Sequence, residues 1–212
     1  MIQTVYHGSP HVIEKPEWGK GKPYNDYGVG YYLTKDKDLA SEWAVFTSGQ
    51  DGYVNEYTLD YTGLNVLKLD EFPIEVWVSV LMNNRRGSYK KVLRARTERF
   101  IDKFGLDIAS YDIIEGYRAD DAFFSYVRDF ALGLLSVEKL KEAMSFGDLG
   151  NQVCLKSQKA FSQITFKKAS AASSVAFYSR AKERDDYARR QYNEIENPDK
   201  GMTIFDLIRR DG

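Results

Sequence analysis

The sequence has little cysteine and little histidine: one cysteine and two histidines in 212 residues. A single cysteine, Cys154, excludes an internal disulfide and favours a reducing compartment. It lies among apolar residues of a predicted strand, so we expect it to be buried rather than to act as a nucleophile. Both histidines, His7 and His11, fall in the first eleven residues, so any useful imidazole must be one of them. No Cys/His cluster has the spacing of a metal site, and we predict no metal.

The chain also lacks an excess of charge and a long apolar run. Its formal net charge is −1, with 30 basic and 31 acidic side chains, so no overall positive field attracts nucleic acid. No stretch reaches the roughly 20 apolar residues of a membrane helix, and the N-terminus has no signal-peptide pattern. We therefore predict a cytoplasmic protein without membrane contact, although a toxin or effector exported without a leader would have the same composition.

What is present is an alternation of strand and helix patterns in a chain that is 43 % hydrophobic and 14 % aromatic. That composition suffices for one substantial core with a helical insertion. Period-2 patterns and β-forming residues predict seven strands, at about 3–8, 30–34, 53–60, 64–69, 111–115, 151–156 and 161–166. Apart from the strand at 111–115, the insertion at about 72–147 has helical spacing. The fold class is α+β, with a domain at 1–170 and a C-terminal helical extension at 171–212.

The first predicted strand ends in "YHGSP" (6–10), and an irregular loop rich in Gly and Pro follows up to residue 30. Long loops inside compact domains are often functional. The second strand and its helix read "GVGYYLTKDKDLASEWA" (28–44), with Asp36 or Asp38 as the expected helix cap. No Gly-Lys-Ser/Thr follows the glycines, so a phosphate-binding P-loop is excluded.

These two segments together resemble the ADP-ribosyltransferase superfamily, in its diphtheria-toxin and poly-ADP-ribose-polymerase branch. The resemblance is carried by His7-Gly8, by Gly28-x-Gly30-x-Tyr32, and by Trp43 eleven residues after Tyr32. The order of "YHGS", "NDYGVGYYLT", "YRADD" and "NQVCLKS" is closest to a bacterial family of uncharacterised proteins with this fold. The resemblance spans about residues 4–166. It implies a split, antiparallel-rich sheet around an NAD cleft.

The resemblance also implies the residues that bind NAD as a substrate. His7 would donate from its ring to the nicotinamide ribose, and Tyr32 and Trp43 would hold the nicotinamide ring between them. Gly8 would let the ring approach the backbone, because a glycine has no Cβ. The remaining NAD-binding positions implied are Ser9, Asn25, Asp26 and Gly30.

One position departs from the pattern of that superfamily. The glutamate usual at the start of a late strand falls on Gln152, whose amide accepts a hydrogen bond but carries no charge and is no general base. Polymer formation is therefore disfavoured. A second carboxylate could substitute, and Asp120 and Asp121 are the candidates. The catalytic residues implied are His7, Tyr32 and Gln152, with Asp121.

The function implied is mono-ADP-ribosyl transfer from NAD to a macromolecular acceptor, and two alternatives stay open. One is a catalytically inactive module that binds NAD or ADP-ribose, which Gln152 favours, and the other is an NAD glycohydrolase. A protein acceptor is favoured over a nucleic acid, although the basic run 85–96 could offer a nucleic-acid surface. Plain structural roles also stay open: His7 at a strand end, Tyr32 and Trp43 in the core, and Asp120 and Asp121 at a helix start.

Overall fold

The computed structural model of the chain describes residues 1–46, 49–85, 91–119, 121–143, 150–194 and 201–209. Within them the chain forms an α+β structure with one seven-stranded mixed sheet. The strands are β1 (Ile2–Ser9), β2 (Tyr31–Thr34), β3 (Gly52–Asp60), β4 (Val66–Lys68), β5 (Ile113–Tyr117), β6 (Asn151–Leu155) and β7 (Ile164–Ala172). The helices are α1 (Lys37–Phe46), α2 (Ile74–Asn84), α3 (Lys91–Phe104), α4 (Asp121–Leu132), α5 (Val137–Ala143), α6 (Gln158–Ser162), α7 (Ser174–Asn193) and α8 (Ile204–Arg209).

The strand order is β4-β5-β6-β2-β1-β3-β7. Only the edge pair β4–β5 is parallel, and every other described pair is antiparallel. β1 pairs with β3 along its whole length, from Ile2 opposite Asp60 to Ser9 opposite Tyr53. Its pairing with β2 is confined to Tyr6 opposite Thr34. β1 and β2 are therefore paired at one end and separated at the other, which leaves an opening between them.

Helix α1 closes one face of the sheet beside that opening. Asp36 is its cap, because the Asp36 carboxylate accepts hydrogen bonds from the backbone N–H groups of Asp38 and Leu39 at 2.8 and 3.2 Å. The helix approaches β1 closely at Gly8, where an added Cβ would stand 1.9 Å from the Ala40 carbonyl oxygen. A glycine is thus required there by helix packing.

The main core lies between the sheet and the helices of the insertion. Its largest fully buried side chains include Trp77 on α2, Phe100 on α3, and Phe123 and Phe130 on α4. The described part of the insertion, residues 72–85, 91–119 and 121–143, contains helices α2 to α5 and strand β5, so it is largely helical apart from one strand, as the sequence predicts. Residues 144–147 of the predicted insertion lie outside the described residues. No described helix is long and apolar enough to cross a membrane.

The C-terminal helices pack on the same body as the sheet. α7 contacts α1, α4 and α5, and α8 contacts α3 and α4. Ile204 and Leu207 of α8 belong to the main core. The predicted division at residue 170 falls inside β7, whose Ala171 pairs with Tyr53 of β3.

Two strand predictions were wrong in their extent. The predicted strand 161–166 begins instead with helix α6, which the Ser157 hydroxyl caps by accepting from the Ala160 N–H at 3.1 Å. β7 starts at Ile164 and continues to Ala172, because β3 offers it a partner over nine residues. The strand predicted at 64–69 is shortened to Val66–Lys68 and turns into a 3₁₀ helix at Leu69–Glu71.

Candidate functional site

A cavity of about 750 Å³ lies where β1 and β2 separate. This volume is in the range of small-molecule and cofactor sites. Its walls come from β1, β2, β6, α1, the loop before β2, the end of α2 and the segment after β5. The wall includes four residues predicted from the sequence motifs to form the site: His7, Tyr32, Trp43 and Gln152. They belong to four different elements.

The His7 ring is fixed by its neighbours on β2. Its Nδ1 lies 2.7 Å from the Tyr32 carbonyl oxygen, which can only accept, so Nδ1 carries the proton. The Tyr31 ring lies beside it, with centroids 4.5 Å apart. Burial lowers the pKa of His7 below 6.5, and the hydrogen bond to Tyr32 opposes this only in part.

A neutral His7 therefore presents Nε2 as an acceptor to a ligand in the cavity. The sequence led us to expect a ring donor toward a ribose hydroxyl. The donating nitrogen is instead occupied by Tyr32, and a hydroxyl would donate to His7. Tyr31, which the motifs did not single out, also lines the cavity.

Tyr32 is held by the loop that precedes β2. Its hydroxyl accepts from the Tyr27 N–H at 3.0 Å and donates to the Gly28 carbonyl oxygen at 2.7 Å. Burial raises the pKa of Tyr32 far above its usual value, and the neighbouring Cys154 and Asp26 raise it further. The phenol therefore stays neutral and acts as an anchored aromatic surface.

Trp43 is placed on the cavity by helix α1. The Arg118 guanidinium lies 5.2 Å from the centre of the Trp43 ring, within the range of a cation–π contact. The Trp43 indole N–H is buried and has no hydrogen-bond partner among the described residues. An indole at this place can both stack on a planar ligand and donate a hydrogen bond to it.

A hydrogen-bonded carboxylate lies at the floor of the cavity. Asp26 Oδ2 accepts from the Gln152 amide nitrogen at 2.8 Å and from the Ala119 N–H at 2.9 Å. Its Oδ1 pairs with Arg85 at 2.5 Å. Asp26 and Gln152 are each 4 % exposed, so the carboxylate and its amide partner are buried, whereas the Arg85 side chain is 18 % exposed.

The Gln152 amide nitrogen donates two hydrogen bonds. Besides Asp26, the nitrogen donates to the Tyr117 carbonyl oxygen at 3.2 Å. Both partners are acceptors, so the nitrogen must face them and the amide oxygen is the other end of the group. The network of Asp26, Arg85 and Gln152 was not predicted: Asp26 was expected to bind NAD and Arg85 to lie on a basic surface.

Cationic side chains predominate around the cavity. Lys15, Lys20, Lys22, Arg85 and Arg118 line it, against Glu17 and Asp26. Arg85 is neutralised by Asp26, and Lys20 lies 3.9 Å from Glu17. Lys15 and Lys22 favour an anionic ligand at this opening.

Gly8 and Ser9, two of the predicted NAD-binding positions, are engaged within the protein itself. Gly8 is packed against α1, and Ser9 is buried with its hydroxyl accepting from the His11 N–H at 3.1 Å. Neither is among the described residues that line the cavity. Gly30 does line it, and an added Cβ there would stand 2.4 Å from the Cys154 sulfur. Asn25 also lines the cavity.

The other candidate residues are placed as follows. Asp120 lies outside the described residues, and Asp121 is the first residue of α4. Cys154 is buried, as predicted, and burial raises its pKa to about 12, which makes it a poor nucleophile. Among the described residues, no group of His, Cys, Asp or Glu is arranged to hold a metal ion.

Two arginines of the basic run 85–96 bind the protein itself. Arg85 pairs with Asp26, and Arg96 donates to the Ala131 carbonyl oxygen at 2.8 Å. The Arg96 guanidinium also lies 3.9 Å from the centre of the Phe205 ring on α8. Residues 86–90 of the run lie outside the described residues. The run is therefore not simply a solvated basic surface.

The fold and the cavity define an α+β protein with a ligand-sized site between two parting strands. A family model, described as a protein of unknown function (DUF3990), matches residues 3–166 of the 212. The chain belongs to this family. The match covers β1 to β6, and with them every described residue of the cavity wall. The comparison with curated proteins found no match, and neither did the comparison with solved structures.

Proposed function

We propose that the protein is an NAD-dependent mono-ADP-ribosyltransferase with an ADP-ribosyltransferase-like fold. The observation that carries the proposal is the convergence of His7, Tyr32, Trp43 and Gln152, from four elements, on one cavity. The opening between β1 and β2 supports it, because a split sheet around a cleft is what the motif resemblance implies.

The chemistry of the wall suits each part of NAD. Tyr32 and Trp43 offer aromatic faces to the nicotinamide ring, whose positive charge favours such surfaces. His7 Nε2 accepts from a ribose hydroxyl. Lys15 and Lys22, on the loop, would attract the diphosphate.

In the proposed reaction, the bond between the nicotinamide nitrogen and ribose C1′ breaks, and its electron pair leaves with neutral nicotinamide. A nucleophile of the acceptor then bonds to C1′ and loses its proton to solvent. The ribose is oxocarbenium-like at the transition state, so negative charge near it lowers the barrier. A protein acceptor remains favoured, because the net charge is close to zero and two arginines of the basic run are engaged internally.

A second candidate is a catalytically inactive module that binds NAD or ADP-ribose. Gln152 on the cavity wall favours it, because an amide at the position of the usual glutamate carries no charge to stabilise an oxocarbenium. NAD hydrolysis, with water as the acceptor, would use the same site.

The test is incubation of the protein with NAD labelled in its adenylate part, together with a cell lysate. Nicotinamide release with label in protein supports the transferase, and release with label only in free ADP-ribose supports the hydrolase. Binding of NAD without release supports the inactive module, and no binding refutes all three.

A matched pair of variants assigns the result to the cavity. His7→Ala removes the lining imidazole, whereas His11→Ala removes the other histidine of the chain, which is exposed. We expect His7→Ala to weaken NAD binding by about 1–2 kcal/mol, the range of one hydrogen-bonded contact, and His11→Ala to leave it unchanged.

A further inference from the structure

Asp26 and Gln152 behave as one unit at the floor of the cavity. The segments that carry them are 126 positions apart in sequence, yet the Gln152 amide nitrogen lies 2.8 Å from Asp26 Oδ2. The Ala119 N–H and Arg85 complete the coordination of the carboxylate. A buried carboxylate with two hydrogen-bond donors on one oxygen and an ion pair on the other is held in one orientation.

This arrangement explains why an amide stands at position 152. A glutamate there would place a second carboxylate in contact with Asp26, and two carboxylates at hydrogen-bond distance cannot both be ionised. The amide avoids that repulsion and gains a charge-assisted hydrogen bond. It also leaves the amide oxygen of Gln152 as the end available to a ligand, and no described residue hydrogen-bonds to it.

The charge of Asp26 also acts on two aromatic neighbours, the buried Tyr27 and the cavity-lining Tyr32. Burial raises the pKa of the Tyr27 phenol, and the Asp26 charge raises it further. Asp26 adds to the same effect on Tyr32, after burial and Cys154. The negative charge is thus felt at the residue that faces the proposed nicotinamide.

We infer that Asp26 is a positioning residue: it orients the Gln152 amide with its oxygen available to the ribose and supplies the negative charge that Gln152 lacks. This inference rests on the proposed function. In the proposed site, the Asp26 carboxylate and the Gln152 amide together take the place of the single glutamate of the ADP-ribosyltransferases that the sequence resembles. No bond is made to Asp26, and its effect is on the charge that develops at the ribose.

The test compares nicotinamide release by wild type, Asp26→Asn, Gln152→Glu and the double variant. Asp26→Asn removes the negative charge of the side chain. It also replaces the carboxylate that accepts from the N–H groups of Ala119 and Gln152 with an amide. Gln152→Glu brings two carboxylates together. We expect each single variant to lower kcat at least tenfold.

The double variant Asp26→Asn/Gln152→Glu exchanges the two groups. It keeps the net charge and one amide–carboxylate hydrogen bond, while the bond from Ala119 and the bond to the Tyr117 carbonyl oxygen are lost. We expect kcat to recover to at least threefold above both single variants. Recovery in the exchanged pair shows coupling between the two positions.

Asp112→Asn is the matched control for a structural role. The Asp112 carboxylate accepts from the Ser157 hydroxyl and from the Asn65 N–H, away from the cavity. We expect this variant to unfold at a lower temperature with kcat unchanged. In Asp26→Asn the KM for NAD should stay within threefold while kcat falls, the pattern of an interaction made mainly in the transition state.

The possible results distinguish a failure of the role inferred for Asp26 from a failure of the proposed transferase activity. Wild-type kcat in Asp26→Asn, or no recovery in the double variant, overturns the inference and leaves the transferase standing. A wild type that releases no nicotinamide refutes the transferase, and the inference falls with it. A tenfold loss in Asp26→Asn with recovery in the exchanged pair supports both.

Discussion

His7 shows how a single hydrogen bond sets the chemistry of a residue. The Tyr32 carbonyl oxygen takes the Nδ1 proton, and burial disfavours the charged ring, so the folded protein holds a neutral imidazole. The consequence is an acceptor facing the cavity. It also makes the stability of the protein depend on pH.

We expect the free energy of unfolding to fall as pH is lowered from about 7.5 through the unfolded-state histidine pKa of about 6.5. The folded pKa of His7 lies below that value, so in this window the unfolded chain binds more protons and acid favours it. Urea unfolding at a series of pH values measures the effect. His7→Gln should flatten the curve between pH 6.5 and the lower folded pKa, and His11→Gln should not. Parallel curves for wild type and His7→Gln would contradict the buried neutral ring.

At the scale of elements, helix α1 links the cavity to the rest of the fold. It carries Trp43, lies against β1 at Gly8, and receives α7 on its other side. The position of Trp43 on the cavity wall therefore depends on the contacts of α1 with β1 and with α7.

Gly8→Ala should separate α1 from β1. The new Cβ would stand 1.9 Å from the Ala40 carbonyl oxygen and 2.6 Å from the Ala44 nitrogen, and both are backbone atoms of the helix. We expect a loss of about 1–3 kcal/mol in stability, the usual cost of overpacking, together with weaker NAD binding through the displaced Trp43. Denaturant unfolding and calorimetric titration measure the two effects.

Gly63→Ala is the control for that substitution. Gly63 has a φ of +71° in a turn where an added Cβ meets only the tip of Lys159, so the variant costs backbone strain without moving α1. It should bind NAD as the wild type does. Equal binding by Gly8→Ala and wild type would mean that the position of α1 does not matter to the site.

The contact between α1 and α7 contains a partly buried ion pair. Arg184 of α7 pairs with Glu42 of α1, and the side chains are 22 % and 11 % exposed. Burial raises the pKa of Glu42, while Arg184 and Arg118 oppose the shift. Arg184→Ala would leave Glu42 without its nearest counter-ion.

We expect Arg184→Ala to destabilise the protein by about 1–3 kcal/mol, because a mostly buried carboxylate loses its charged partner. Arg180→Ala is the matched control at the same interface: its pair with Asp38 spans 3.9 Å, and the side chains are 62 % and 73 % exposed. That exposed pair should contribute no more than about 0.5 kcal/mol. Thermal unfolding of both variants compares the two, and equal midpoints would contradict the account of this interface.

The elements that were predicted well have strong local signals. α1 combines an aspartate cap with apolar residues at helical spacing, and β3 alternates along nine residues. The start of β7 was missed because α6 is only five residues long, and its cap at Ser157 reads equally well as a strand end.

The residues of the cavity wall were likewise predicted only where a local sequence pattern indicates them. His7, Tyr32 and Trp43 belong to short motifs with fixed spacing, and each lies on the wall. The pairing of Asp26 with Gln152, Ala119 and Arg85 joins distant segments, and no local pattern encodes such contacts. The reason for Gly8 was missed likewise, because it depends on where α1 packs.

At the scale of the molecule, the cavity lies at an opening within one sheet, and helices form part of its wall and pack around it. β2 leaves β1 after a single paired position and follows β6 from Tyr31 to Thr34. The insertion contributes Arg85 and Arg118 to the wall, and the C-terminal helices support α1 and α4 from outside. We propose that this opening binds NAD.

A crystal structure of the protein with a non-hydrolysable NAD analogue tests that claim most directly. The account predicts the nicotinamide ring between Tyr32 and Trp43, with ring centroids about 4.5–7 Å apart, and a ribose hydroxyl donating to His7 Nε2. A saturated crystal with the analogue bound elsewhere, or with its nicotinamide away from His7, Tyr32 and Trp43, would contradict it.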